Sequence, residues 1–412
     1  MRKILVITSY PEKNNTHGKA TVGVASYAKN TLMHISKIAK KNLKLTVLAE
    51  KLPNSYDYTQ NGIAVRRVWK RNSWTIFPNL LRQIRKEKDT KTILIEFELS
   101  MFGNILYLLP LPVFLLILKI LKRDIIFVNH QVITNVQEIA PHINLKETTF
   151  GISLFNIGLS IFYRFLILVS KNIIVFEEKL KSQLISFGSS KKISVIPHGV
   201  EEFKAIPSKS DARKKLNIKK DEKIVLAFGY LAWYKGTDWL VDAISKINNN
   251  KKTQIKLILA GGPNPNHTDK AFYKKYIQSI EKRCQENNFL ITGFVTEKDI
   301  PYYYTASDVV VFPYRNFMSA SGPLSMAFGF KKPFLISQEI EGTLKTNDIS
   351  EVLTDLKIKK EKIIFNSDNF EKKLMDILKN EKLKEKLELL SKTISIKRSW
   401  SNIGNEYIKL LD

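Results

Sequence analysis

Short runs rich in Val, Ile and Leu recur along the chain, each followed by a longer stretch whose apolar residues fall at helical spacing. Parallel strands buried on both faces read as unbroken apolar runs and need crossovers of a dozen or more residues. The alternation therefore predicts an α/β protein built on parallel sheets. Strands are expected at 4–8, 43–48, 63–68, 92–97, 125–129, 173–176 and 193–196, then at 224–228, 255–260, 290–293, 309–312, 334–337 and 363–365. Between the two sets lie Pro197-His198-Gly199-Val200 and a polar stretch with Pro207, which suit a hinge. At 412 residues the chain is too long for one core, so two sheets in two domains are expected, divided near residue 205.

Lys and Arg number 66 against 39 Asp and Glu, a net charge of +27; residues 1–205 hold 30 basic against 14 acidic groups. Such a field draws nucleic acid, anionic membranes and phosphorylated small molecules alike. Only 12 of the basic residues are Arg, the side chain best suited to reading bases, so no nucleic-acid partner is expected. The single cysteine, Cys284, excludes an intrachain disulfide and any cysteine-cluster metal centre, which fits a cytoplasmic protein. The first ten residues are expected to form a buried strand and not a signal peptide.

Two apolar segments stand apart. Residues 99–118 run 20 positions without a charge, long enough to cross a bilayer, and 148–163 add 16 more. Gly103, Asn104, Pro110 and Pro112 interrupt the first, and a span there would carry later strands of the same sheet across the membrane. A buried or interfacial helix is the expectation. Its apolar end meets Lys119, Lys122 and Arg123, a pattern shared by a core helix with a cationic last turn and a helix lying on an anionic leaflet.

The candidate chemistry lies where glycines follow strands. The segment 229–236, with Gly229, Tyr230, Lys235 and Gly236, turns sharply between a strand and a helix, at the edge where open α/β sheets bind ligands. Lys235 there can reach a phosphate as a point charge. Gly261-Gly262 repeats the arrangement one crossover later. After the strand at 309–312 come Pro313-Tyr314-Arg315 and then Ser321-Gly322-Pro323-Leu324 opening a helix, whose N-terminal N–H groups and dipole favour an anion. Arg315 would add a bidentate partner, so Lys235, Arg315 and the helix start near Gly322 are expected to cradle a diphosphate. In the first domain His130 follows a strand and sits at the facing edge, and Thr21-Val22-Gly23 opens the first helix as a further backbone anion site. His198 is expected to be structural.

In this order, the first glycine loop, the strand-His130 unit, Ile196 to Val200, the 229–236 loop, Gly261-Gly262, Gly293-Phe294-Val295, Ala306-Ser307-Asp308, Pro313 and the closing Ser399-Trp400-Ser401 together resemble the family-4 retaining glycosyltransferases of the GT-B fold. The resemblance covers nearly the whole chain. It implies two Rossmann-like domains facing across a cleft: 1–205 on the acceptor side, 206–392 holding a nucleotide sugar, and 393–412 crossing back to the first. It also implies no metal and no cofactor beyond the donor substrate, and no Asp-x-Asp motif is present. Donor contacts would come from Gly23, Gly229, Tyr230, Lys235 and Gly262, and from Arg315, Ser321, Gly322, Pro323 and Leu324. His130, Lys235 and Arg315 would be catalytic.

The sequence departs from the family pattern in two places. Tyr230 stands where many members have Arg, and Met318 and Met326 stand where they carry paired Glu; Tyr314-Arg315 with Ser-Gly-x-Leu matches a subgroup lacking that pair. The expected activity is retaining hexosyl transfer to an acceptor hydroxyl, in polysaccharide or glycolipid synthesis. A sugar or lipid-linked acceptor and an anionic membrane surface are the further expected partners, with the protein peripheral on the inner face of the membrane. A nucleotide-sugar epimerase of the same fold and a non-catalytic membrane-associated subunit stay open as alternatives.

Overall fold

In the computed structural model, which describes residues 1–15, 23–53, 55–139, 149–203, 205–250, 254–264, 267–317 and 319–411, the apolar runs form two separate sheets. The first contains β1 (Arg2–Thr8), β2 (Leu43–Glu50), β3 (Tyr58–Gln60), β4 (Ile63–Trp69), β5 (Thr92–Phe97), β6 (Asp124–Asn129), β7 (Asn172–Val175) and β8 (Ile193–Val195), in spatial order β3-β4-β2-β1-β5-β6-β7-β8. Its helices are α1 (Gly23–Ala39), α2 (Ile76–Lys86), α3 (Leu111–Ile120), α4 (Thr149–Val169) and α5 (Glu178–Ile185). The second sheet orders its strands β11-β10-β9-β12-β13-β14, from β9 (Lys223–Phe228), β10 (Ile255–Ala260), β11 (Leu290–Ile291), β12 (Val309–Phe312), β13 (Phe334–Ser337) and β14 (Ile364–Phe365). Around it lie α6 (Lys209–Lys215), α7 (Thr237–Asn250), α8 (Ala271–Glu286), α9 (Ile300–Ala306), α10 (Gly322–Gly329), α11 (Asn347–Asp355), α12 (Phe370–Lys379) and α13 (Glu381–Lys397), and α14 (Trp400–Leu411) closes the chain.

Pairing is parallel throughout these sheets except between β3 and β4. That hairpin turns on Asn61 and Gly62, at φ of 52° and 76°, the pair a type I′ turn requires. The strand itself is polar, so its apolar pattern is too weak to announce it. Burial on both faces explains the unbroken apolar runs: along β1, Leu5 and Ile7 enter one core, while Ile4 and Val6 enter the other. In each sheet the strand order reverses beside the first strand, between β1 and β5 and between β9 and β12. Crossovers on either side of that point leave to opposite faces, and a crevice opens at the carboxyl ends.

Two sequence expectations change here. Residues 393–397 remain in α13, whose Leu387, Leu390 and Ile394 are buried in the second core, so the return to the first domain begins at Trp400. There Trp400, Ile403 and Tyr407 of α14 join the first domain's core, and the Tyr407 hydroxyl lies 2.8 Å from that of Tyr27. The run 99–118 is not one helix. Asn104 caps a short 3-10 turn at Ile105–Leu108, and α3 starts only at Leu111, with Pro112 in its first turn. Among the described residues one helix segment, Gly151–Val169 of α4, is long and apolar enough to cross a membrane, yet Leu159, Tyr163 and Leu166 bury one side of it in the first core.

Candidate active site

The crevice of the second sheet is built from three loops locked together by backbone. Leu231 N–H donates to the Gly262 carbonyl at 2.9 Å and Gly229 N–H to that of Ala260 at 3.0 Å, which ties the 229–236 turn to the loop after β10. Arg315 N–H donates to the Tyr234 carbonyl at 2.7 Å, which adds the loop after β12. This closeness leaves no room for side chains. A Cβ on Gly236, which sits at φ +64°, would strike the Pro313 carbonyl oxygen, and one on Gly261 would strike that of Gly229. A small cavity remains at the β9/β12 switch, lined by Gly229, Tyr230, Lys235, Thr237, Phe312 and Pro313.

Lys235 is the cation of this crevice. Its Nζ lies against Gly229, 2.8 Å from where a Cβ there would stand, and no described carboxylate pairs with it. Burial pushes its ammonium down to about 8, because the surroundings replace water without supplying an opposite charge. Such a group gains most from an anion bound beside it.

Arg315 is placed differently from the expectation. Its guanidinium forks onto Asp238 of α7 at 2.9 and 2.7 Å, donates to the Trp233 carbonyl at 2.9 Å and lies over the Trp233 ring. Those bonds hold the β12 loop against the start of α7 and leave Arg315 as a brace for the turn that carries Lys235.

The N-terminus of α10 is likewise mostly committed. The Ser321 hydroxyl accepts from Leu324 N–H at 3.2 Å and contacts the Tyr314 hydroxyl at 2.9 Å. Pro323 has no N–H, and Ser325 N–H bonds the Ser321 carbonyl. Of the expected donors in that turn, Gly322 N–H remains for a ligand, while Ser321, Pro323 and Leu324 build the cap. Gly262 contributes its carbonyl to loop pairing, as above. Gly23 is exposed at the start of α1, and Thr21 and Val22 lie outside the described residues, as does Met318.

On the facing edge, His130 leaves the end of β6 with 8% exposure, its ring edge-on to Tyr27 and Phe176 at 4.9 and 4.8 Å. Its Nε2 lies 2.6 Å from Glu96 Oε2, and Glu96, on β5, is wholly buried. Burial raises the Glu96 carboxyl above its usual range, partly offset by His130. With Glu96 ionised, Nε2 donates and Nδ1 is left as the ring's second polar atom. Glu96 escaped the sequence reading, although a carboxylate inside the apolar run Thr92–Phe97 was the signal for it. The next residue, Gln131, bridges Ser319 of the second domain, two positions before Ser321, so His130 and the α10 N-terminus meet across the cleft. His198 lies beside Tyr27 and Trp400 with Nδ1 near the Gly199 carbonyl, and burial drives it down to about 4, a neutral packing residue.

Twin parallel sheets whose switch-point crevices face each other define the GT-B architecture, and solved structures agree over the full length. Sucrose-phosphate synthase from Thermosynechococcus elongatus superposes with a TM-score of 0.73 at 16% identity, covering 100% of this chain and 98% of that one. Anabaena HepE in complex with UDP-glucose superposes at 0.67, with 16% identity and coverage of 100% and 99%. Residues 208–390 match the family model "Glycosyl transferases group 1". Mannosylfructose-phosphate synthase of Agrobacterium fabrum is 27% identical over 128 residues, 30% of this chain and 28% of that protein. The chain spans about a third of the length of the curated relatives it matches.

Proposed function

We propose that this protein is a retaining hexosyltransferase that moves a sugar from a nucleoside diphosphate donor to an acceptor hydroxyl, in polysaccharide or glycolipid synthesis. The observation that carries the reading is Lys235, a half-buried, desolvated cation without a counter-charge among the described residues, at the switch point of the second sheet. Breaking the anomeric bond puts negative charge on the leaving diphosphate. Lys235 and the Gly322 N–H would stabilise it, and one such preorganised donor is typically worth about 3 to 4 kcal/mol of barrier. The reading assigns this work to protein groups, with no metal taking part. His130, held by Glu96 on the opposite edge, would meet the transferred sugar. Retention rests on the family resemblance.

UDP-glucose is the first donor to test, since the HepE structure holds it and the similar proteins include a sucrose-phosphate synthase and a mannosylfructose-phosphate synthase. A panel of UDP- and GDP-hexoses should contain one that raises the melting temperature, since a ligand at 100 times its dissociation constant stabilises a fold by about 2.7 kcal/mol. That donor should slowly release free sugar in the original anomeric configuration by NMR. Interconverted nucleotide sugar would instead mark an epimerase, and a panel without any shift would overturn the transferase.

A further inference from the structure

We propose that the surface formed by α3 and α4 docks on an anionic lipid bilayer, lying on it without crossing. Leu106, Leu109, Val113, Leu116 and Ile120 follow one another at steps of three or four residues along one side of α3 and the turn before it, each 46–77% exposed. Leu154, Ile157, Ile161 and Leu168 make the same kind of stripe on α4, at 57–73% exposure, with the exposed Arg164 in the gap. The opposite sides of both helices, through Phe114, Leu115, Leu118, Leu159, Tyr163 and Leu166, are buried in one core, and the helices touch. The stripes therefore lie side by side as one apolar surface, the kind of contiguous patch that marks an interaction site.

Charge identifies the occupant. Lys119, Lys122 and Arg164 are exposed within or beside the stripes, and no described carboxylate pairs with them. Next to α3, α2 presents Arg82, Arg85 and Lys86 to solvent. Trp74, 58% exposed, packs on Tyr107 at 5.1 Å at the rim, an amphipathic pair suited to the headgroup layer. An apolar stripe edged by cations fits a leaflet with acidic headgroups. A second copy fits poorly, because two-fold pairing would set each basic rim against its like. Crossing is excluded by the same geometry: a spanning α4 would have to pull Tyr163 and Leu166 out of the core. The first turns of α3 and α4 follow the carboxyl edge that carries His130, so a bilayer here would lie along the acceptor side of the cleft. The surface lies outside the donor crevice, and its test needs no nucleotide, so it stands or falls separately from the transferase reading.

The test is co-sedimentation of the full chain with phosphatidylcholine vesicles, with and without phosphatidylglycerol, at low and high salt. The expected result is binding to the anionic vesicles at low salt, release at high salt, and little binding to neutral ones. Leu116→Glu with Ile161→Glu should cut vesicle affinity at least about tenfold with circular dichroism unchanged. Lys119→Glu, Lys122→Glu and Arg164→Glu together, on exposed positions that folding tolerates, should abolish the salt-sensitive part. The proposal is overturned if the wild type ignores anionic vesicles at low salt, or if both variant sets bind like wild type. It is equally overturned if attachment survives alkaline carbonate, which marks a span, or if light scattering shows a dimer that Leu116→Glu with Ile161→Glu dissociates.

Discussion

At the scale of single residues, the half-buried Lys235 and the buried His130 carry opposite situations. Lys235 is charged without a described partner, and its ammonium, pushed down to about 8 from 10.5, is disfavoured by its surroundings. Its ionised form costs stability at neutral pH, and that cost fades as pH rises through 8 toward the unfolded value. Lys235→Met should therefore fold at least as stably as wild type at neutral pH, yet bind UDP at least about tenfold more weakly, a loss of about 1.4 kcal/mol. Wild-type UDP affinity should fall as pH rises through about 8 while the variant's stays flat, a contrast that calorimetry reads directly. His130 has a partner in Glu96, and removing one side of a buried hydrogen bond typically costs about 1 to 3 kcal/mol because the group left behind is unsatisfied. His130→Ala should lower both stability and turnover, with KM for the donor little changed. Glu96→Gln, which keeps the hydrogen bond, should spare stability and still reduce kcat. Near-normal kcat in both variants would make the dyad a packing feature.

At the scale of elements, what matters is how loops from distant strands hold one shape. The Arg315 fork onto Asp238 joins the β12 loop to α7, and a lysine cannot make both bonds. Arg315→Lys should cost about 1 to 3 kcal/mol in stability and weaken donor binding through the displaced turn. Asp238→Ala separates bracing from direct phosphate contact. Bracing predicts that freeing Arg315 weakens the donor as much as removing it does, whereas a phosphate ligand would gain from losing its competitor. Faster hydrogen exchange across 233–236 in both variants would accompany the first outcome.

At the scale of the whole molecule, Glu177 from the end of β7 accepts from the Thr343 hydroxyl at 3.0 Å and so joins the two domains. Burial pushes its carboxyl up to about 7, against an attraction from Arg398. Because the folded value lies above the unfolded 4.5, the stabilisation from the protonated acid is full below about 4.5 and is lost as pH rises through 7. Glu177→Gln keeps a partner for Thr343 and removes the charge. It should be more stable than wild type at alkaline pH, by about 3 kcal/mol at most, with the difference vanishing toward acid. Melting curves across that range check it; a difference independent of pH would show that ionisation of Glu177 is not involved.

Much of the fold was written in local pattern. Apolar runs such as Ile255–Ala260 admit few states other than a buried strand, and glycines after β9 and β10 mark turns because their crowding is a backbone matter. The edge strand β3 escaped, since an exposed polar strand carries no apolar signature. Within the cleft, the sequence alone pointed to Lys235 and His130, whose places at strand ends follow from chain order. It could not assign Arg315 to Asp238, 77 positions away, or His130 to Glu96, 34 away, nor show that Leu324 spends its N–H on Ser321. Likewise, apolar composition told that α3 and α4 would bury surface, but not which side would stay bare. Periodicity is a property of neighbours along the chain. Partnership and exposure depend on which strands and helices the sheet order sets side by side, and only the folded structure decides that.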